Sequence, residues 1–368
     1  MQVTQPVSST AASTRVIPSK PLAFVSMESP AQQPRLVLGI FAALLFSFSS
    51  LCGHAQSAST GPNYTSIVVF GDSLSDTGNV ADLSEAKYGV RIPGPYADYT
   101  DGRFTDGADT LPAAEKYFGV WIEQFAAALP SKPMIKASLD GGTDYAYGFA
   151  FTGGGTSVLS FGSSNELSVN VNNIGQQITD YLATHPKITN QTLFVVWGGA
   201  NDVLNATKQD EVIDAGLNQL LNIQRLIDAG ATQFLIPNLP PLGLVPRLNG
   251  SPALSAPATE GAALYNDVLT GGIDLMRLLY GRKHLELAEL DVYSLFNKII
   301  AAPASYSLSN VTSSSQGAPV NPDTYLFWDG LHPTTHGHNI LAVTAQKALT
   351  SPSAVPITLL AEPAATSR

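Results

Sequence analysis

The residues of this 368-residue chain that could do chemistry together are Ser73, Asn201, Asp329 and His332. Asp329 and His332 stand three apart in Trp328-Asp329-Gly330-Leu331-His332-Pro333, just before a predicted helix. On one side of a turn, that carboxylate can accept the imidazole Nδ1–H and leave Nε2 facing outward. An acid that orients a histidine, and a histidine that takes the proton of a serine, form an acyl-transfer triad, recognised by roles and not by chain order. Each residue alone has a plainer use. Serine is a favoured helix N-cap, asparagine in a Gly-rich loop stabilises turns, and an Asp-x-x-His before a helix reads first as a cap beside a surface histidine. In the chemical reading, the Asn201 amide donates to a developing oxyanion, a contact typically worth about 10²–10³ in rate.

The elements around these residues decide between the two sets of uses. Ile67-Val68-Val69-Phe70 is an unbroken apolar run ending at Gly71-Asp72, the pattern of a parallel strand buried on both faces. Ser73 therefore falls at the carboxyl end of a strand, where ligands collect in open α/β sheets, and a sharp strand-to-helix turn would set a positive helix end beside it. Leu193–Trp197 is a second such run and leads into Gly198-Gly199-Ala200-Asn201-Asp202. Further strands are predicted at Tyr145–Phe151, Phe234–Ile236 and Leu285–Val292. Helices are predicted at Trp121–Leu129, Ile174–Leu182, Val212–Ala229, Ala262–Leu279 and Gly337–Leu349. Tyr88–Gly107 reads as a long surface loop, and a Ser-rich loop runs through Gly317. Strands alternate with helices, without repeats or a long linker, which predicts one α/β domain: a three-layer α/β/α sandwich with a central parallel sheet.

The string Phe70-Gly71-Asp72-Ser73-Leu74-Ser75-Asp76-Thr77-Gly78-Asn79 resembles block I of the GDSL (SGNH) hydrolases, in the form seen in their secreted lipase/acyltransferase branch. Gly199-Ala200-Asn201-Asp202 and Trp328–Pro333 match later blocks of that family in content and order. Gly102–Gly107, Asn238–Gly243 and Leu308–Thr312 add to the similarity, which covers roughly Tyr64 to Leu349. The resemblance implies a flavodoxin-like sheet of order 2-1-3-4-5, with Ser73 as nucleophile, His332 as base and Asp329 as its orienting acid. It also implies an oxyanion hole built from the Ser73 N–H, the Asn201 amide and a block II glycine, and no cofactor or metal. Block II is where the chain departs from the family. An Asn-Phe-Ala-x-Gly-Gly-Ala-like string is expected, and Gly148-Phe149-Ala150-Phe151-Thr152-Gly153-Gly154 stands there, with Gly148 for the asparagine and Thr152 for the first glycine. The donor then falls on Gly153, with Gly148, its N–H spent in a strand, as the weaker competitor.

Composition bounds the rest. A net charge of −10 gives no basic footprint for nucleic acid. Cys52 is the sole cysteine, so neither a disulfide framework nor a cysteine–zinc site is available. His332, His336 and His338 have the look of a metal cluster, but His332 is claimed by the triad and acidic ligands are sparse nearby. Arg35 precedes the uncharged run Leu36–Leu51, and Gly53-His54-Ala55 offers small residues before Gln56. That is the layout of a signal peptide over residues 1–55, with a start at Met27 as an alternative and a retained anchor as its rival. Residues 56–350 would form the hydrolase domain and 351–368 a loosely ordered tail. The expectation is a secreted or periplasmic serine ester hydrolase acting on a lipid, a short-chain acyl ester or an acetylated glycan, with transient lipid-surface contact as a further partner. Acyl transfer, phospholipase action and polysaccharide O-deacetylation are the enzymatic alternatives. A surface- or carbohydrate-binding protein on an inactive scaffold is the non-enzymatic one. The loop Tyr88–Gly107 and the residues after Gly153 are expected to shape the pocket.

Overall fold

The structure is a computed structural model and describes residues 64–99, 101–107, 117–161, 167–188, 191–280 and 285–350. The predicted signal segment and tail lie outside these residues. In chain order the elements are β1 (Ser66–Gly71), α1 (Asn79–Tyr88), α2 (Trp121–Ala128), β2 (Thr156–Phe161), β3 (Leu167–Asn172), α3 (Ile174–Thr184), β4 (Thr192–Trp197), α4 (Ala200–Asn205), α5 (Gln209–Asp228) and β5 (Gln233–Pro237). There follow α6 (Pro246–Asn249), α7 (Pro252–Tyr280), β6 (Glu286–Leu290), α8 (Val292–Ala301), β7 (Asn310–Ser314), β8 (Tyr325–Phe327) and α9 (Thr335–Thr350).

The central sheet runs β1-β4-β5-β6, all parallel. Residues 143–147 lengthen it along the free edge of β1. Val69 N–H donates to the Thr143 carbonyl, and the N–H groups of Tyr145 and Tyr147 donate to the carbonyls of Val69 and Gly71. Adding that edge gives the 2-1-3-4-5 arrangement. The strand predicted at Tyr145–Phe151 is thus shorter and begins earlier: pairing stops at Tyr147, and Phe149 turns the chain away at φ 67°.

Period-2 alternation sorts the strand residues into two cores. Val68, Phe70, Phe194, Val196, Phe234 and Ile236 face one core, with side chains of α3, α5 and α7. Ile67, Val69, Leu193, Val195, Trp197 and Leu235 face the other, with α2, α8 and α9. Helices on both faces of a parallel sheet explain why its strands read as unbroken apolar runs. The β2–β3 hairpin and the parallel β7–β8 pair were not expected from sequence. α7 begins ten residues before its predicted start and carries Pro257 inside it.

Candidate active site

Ser73 is positioned by the end of β1. Gly71 comes so near β4 that a Cβ there would lie 2.7 Å from the Trp197 carbonyl oxygen. Gln177 of α3 clamps its peptide, accepting from Gly71 N–H at 2.9 Å and donating to the Gly71 carbonyl at 2.9 Å. Beyond Gly71 the chain folds into a turn, in which the Asp72 carbonyl accepts from the N–H groups of Ser75 and Asp76. The Asp72 carboxylate accepts from Leu74 N–H at 3.0 Å.

The expected helix end beside Ser73 is absent, because α1 starts only at Asn79. Its amino end is instead occupied by Asp76, whose carboxylate accepts from Gly78, Asn79 and Val80, and also from Gly148 N–H at 2.9 Å. Burial pushes the Asp76 carboxyl up to about 6, against the pull of those four donors. Thr77 and Asn79 extend the network to the 143–147 edge: Thr77 donates to the Asp144 carboxylate, and Asn79 Nδ2 to the carbonyls of Asp144 and Ala146. The residues after Ser73 therefore bolt the turn to the sheet edge.

Ser73, His332 and Asp329, 259 residues apart at the extremes of the first contact, come together in a chain of hydrogen bonds. His332 Nε2 lies 2.9 Å from Ser73 Oγ, and His332 Nδ1 lies 2.7 Å from Asp329 Oδ2. The last two sit on a tight loop after β8, closed by Trp328 N–H on the His332 carbonyl and by Thr334 N–H on the Leu326 carbonyl. Asp329 Oδ1 accepts from the N–H groups of Leu331 and His332, both at 2.7 Å. Burial alone would raise the Asp329 carboxyl. The His332 charge and ring hydrogen bond, with the Tyr99 hydroxyl and the His332 N–H, outweigh it and hold the group well below the usual carboxylate range. Asp329 thus stays ionised.

Asn201 lies in the first turn of α4, and its Nδ2 donates to the Ala150 carbonyl at 3.1 Å. One N–H of that amide is thereby anchored and the other remains available. In block II the two candidates differ. Gly148 N–H is spent on Asp76, not on a sheet ladder as expected. Gly153 N–H has no acceptor among the described residues, and its carbonyl holds Gly175 N–H at 2.9 Å. Both departures from the family string have local partners. Thr152 donates through N–H and hydroxyl to the half-buried Asp202 carboxylate. At Gly148 the Phe104 ring fills the space, and a Cβ would come 2.3 Å from it.

Two residues of the 88–107 loop serve the triad although sequence reasoning assigned them no role. The Tyr99 hydroxyl donates to Asp329 Oδ2 at 2.6 Å, and the Phe104 ring lies 5.2 Å from the His332 ring. In the same loop Asp106 accepts from Thr335 N–H at the start of α9. This loop supports the acid and the base, and the cavity at Ser73 is walled elsewhere, by the segment after β5 and by α8 and α9. No described residue of that loop or of the segment after Gly153 lines this cavity. The other two histidines are accounted for separately. His336 Nδ1 contacts the Asp323 carbonyl, and His338 Nδ1 accepts from Trp121 N–H at 3.1 Å.

With this geometry, the family model for GDSL-like lipase/acylhydrolase matches residues 67–343. The chain belongs to that family of ester hydrolases. It is 26% identical over 266 residues to phosphatidylcholine-sterol acyltransferase of Aeromonas hydrophila, covering 71% of this chain and 68% of that protein. It is 24% identical over 321 residues to the thermolabile hemolysin of Vibrio parahaemolyticus, covering 81% and 66%. It is 23% identical over 329 residues to GDSL esterase/lipase 6 of Arabidopsis thaliana, covering 78% and 87%. The chain thus spans about two thirds of the length of the first two relatives. The matched region holds β1 with Ser73, the Asn201 turn and the Asp329–His332 loop, and reaches into α9.

Proposed function

We propose that the protein is an exported serine ester hydrolase that works through an acyl-enzyme on Ser73. The observation that carries this reading is the unbroken relay from Ser73 Oγ to His332 Nε2 and from His332 Nδ1 to Asp329. Ser73 Oγ bonds to the ester carbonyl carbon while its proton passes to His332 Nε2. The carbonyl oxygen, now an oxyanion, takes hydrogen bonds from the N–H groups of Ser73 and Gly153 and from the free N–H of Asn201. When the carbonyl re-forms, the bond to the alcohol oxygen breaks, and His332 returns its proton to that oxygen. A water then gives a proton to His332 and attacks the acyl carbon, releasing the acid and restoring the Ser73 hydroxyl.

A second reading keeps the same intermediate and replaces water by an alcohol. It is favoured by the similarity to a protein named as an acyltransferase. An inactive binding scaffold has no use for an ionised acid, an imidazole and a hydroxyl held in line. The test is turnover of p-nitrophenyl esters with and without an added alcohol. The proposal expects hydrolysis that falls by about 10³ or more in both Ser73→Ala and His332→Ala. Ester product formed from the added alcohol would move the assignment to acyl transfer, and turnover that survives both substitutions would overturn the mechanism.

A further inference from the structure

The β2–β3 hairpin has two outer edges, and only one of them is covered. Asn173 N–H donates to the Gly155 carbonyl at the start of the hairpin, and hydrogen-bonded pairs recur at every second residue of an antiparallel ladder. The pairs Ser157–Val171, Leu159–Val169 and Phe161–Leu167 therefore turn their N–H and C=O groups inward. On β3 the groups of Ser168 and Asn172 turn outward, and helices α1 and α3 meet them. The Ser168 carbonyl accepts from Lys87 Nζ and the Tyr88 hydroxyl, Ser168 N–H donates to Tyr88, and the Asn172 carbonyl accepts from Gln177 Nε2. On β2 the outward groups are those of Thr156, Val158 and Ser160, and nothing among the described residues meets them. Other outer strands are blunted in the ways that keep sheet edges apart. β6 carries Glu286 and Glu289, and Arg277 donates to its Leu287 carbonyl. The 143–147 edge gives the carbonyls of Asp144 and Ala146 to Asn79. On β7 the Thr312 carbonyl accepts from Asn249, and the Asn310 side chain takes the N–H groups of Thr312 and Ser313. β2, with the sequence Thr-Ser-Val-Leu-Ser-Phe, has neither charge nor proline.

We infer that the open edge of β2 is the seam of a two-fold dimer, in which it pairs antiparallel with β2 of a second copy of this chain. The edge is complementary to itself. With Val158 opposite the partner's Val158, Thr156 falls opposite the partner's Ser160, and all three outward residues exchange both of their hydrogen bonds. No other register pairs all three within the strand. A two-fold axis through the Val158 pair makes the contact isologous and closed. The side chains agree with the backbone. Val158 is 58% exposed and would meet its own counterpart, an apolar pair, while Thr156 would meet a serine. Each copy carries a net charge of −10, yet no charge faces a like charge along this strand. An extended foreign peptide fits less well, because strand addition takes its specificity from pockets for alternate side chains. At the near end of this edge a Cβ on Gly154 or Gly155 would meet nothing within 4 Å, so no pocket wall stands there. A two-stranded hairpin, marginal by itself, becomes the middle of a four-stranded sheet. The seam is independent of the chemistry at Ser73.

Sedimentation of the protein expressed from the full chain, followed over a dilution series, tests the seam. A monomer–dimer equilibrium is expected. Val158→Pro removes an outward N–H and leaves the β2–β3 ladder intact. Val158→Lys sets like charges face to face at the axis and leaves the backbone alone, so it carries the test if the proline variant misfolds. Each should raise the dimer dissociation constant by about tenfold or more, with circular dichroism showing an unchanged fold. Register is read by cross-linking, with Cys52, the sole cysteine, changed to serine. Directly paired Cα atoms, about 5.5 Å apart, lie within disulfide reach. Val158→Cys should therefore form a disulfide-linked dimer on mild oxidation. Thr156→Cys should link to Ser160→Cys when the two proteins are mixed, and neither should link alone. A monomer at every concentration, without cross-links, overturns the seam, and slow hydrogen exchange at Thr156, Val158 and Ser160 in that monomer would give the edge to a segment of the same chain. A dimer that both Val158 variants leave equally tight, or cross-linking by Thr156→Cys alone, puts the contact elsewhere and overturns it as well.

Discussion

The Tyr99 hydroxyl donates a 2.6 Å hydrogen bond to Asp329 Oδ2, the oxygen that also holds His332 Nδ1 at 2.7 Å. With the two N–H groups on Oδ1, the carboxylate is fixed at both oxygens. Tyr99 touches no reacting atom in this arrangement, so its part is to position the acid and share its charge. Removing the hydroxyl should leave Asp329 a stronger base toward His332 and free to swing. Tyr99→Phe is expected to lower kcat about tenfold, with KM within twofold, and to move the acidic limb of the kcat/KM–pH profile upward. A variant with an unmoved pH limb and wild-type kcat would reduce Tyr99 to loop packing.

That contact also marks where sequence reading stops. Asp329 and His332 are legible because their spacing itself limits the geometry. The runs before Gly71 and Gly198 are legible because burial on both faces leaves no polar residue to interrupt them. Tyr99 is a tyrosine in a Gly/Pro-rich loop, and its partner lies 230 residues away, so nothing local marks it. The turn at Ser73 reads as a helix start because Asp76, which holds the true start at Asn79, looks like any loop aspartate. The β3 strand carries a period-2 signal, Leu167, Val169 and Val171 between Ser168 and Asn170, but serine and asparagine interrupt it and no strand is predicted there. Prolines at 252 and 257 hid the beginning of α7 for a similar reason.

The two block II glycines should separate on substitution. Gly153 has open space, its nearest neighbour to a new Cβ being Asn218 Nδ2 at 3.9 Å. Gly153→Pro deletes the free N–H and is expected to lower kcat by about 10²–10³, whereas Gly153→Ala keeps the donor and should cost less. Gly148→Ala drives a methyl into the Phe104 ring, which lies against His332. It should lower both melting temperature and kcat, not packing alone. Equal kcat in Gly153→Pro and wild type would remove Gly153 from the oxyanion hole. Gly154, whose N–H likewise has no acceptor among the described residues, would then be the next candidate.

His338 gives a pH dependence of stability with a definite sign. Burial, with the charge of His332, pulls it from 6.5 down to about 3. Between those values the unfolded chain binds a proton that the folded chain does not, so stability is full above about 6.5 and is lost as pH falls toward 3. His338→Asn keeps an acceptor for Trp121 N–H and removes the titration. The drop in melting temperature from pH 7 to pH 4.5 should be smaller in the variant than in the wild type. Buried carboxyls such as Asp72 and Asp106, which burial raises to about 6, titrate in both proteins and cancel in the difference. An equal or larger drop in the variant would contradict a buried neutral His338.

Export through the apolar run at Leu36–Leu51 should leave Gln56 as the new amino terminus. Mass spectrometry of material recovered outside the cytoplasm checks this. Protein that remains in the membrane fraction with Leu36–Leu51 intact would establish the anchor instead.

The central claim is that Ser73 is the nucleophile, and covalent labelling tests it most directly. A fluorophosphonate should add once per chain, on the peptide that contains Ser73, and Ser73→Ala should take up no label and retain less than about 10⁻³ of the wild-type kcat. Label on another serine, or label and turnover that persist in Ser73→Ala, would contradict the account.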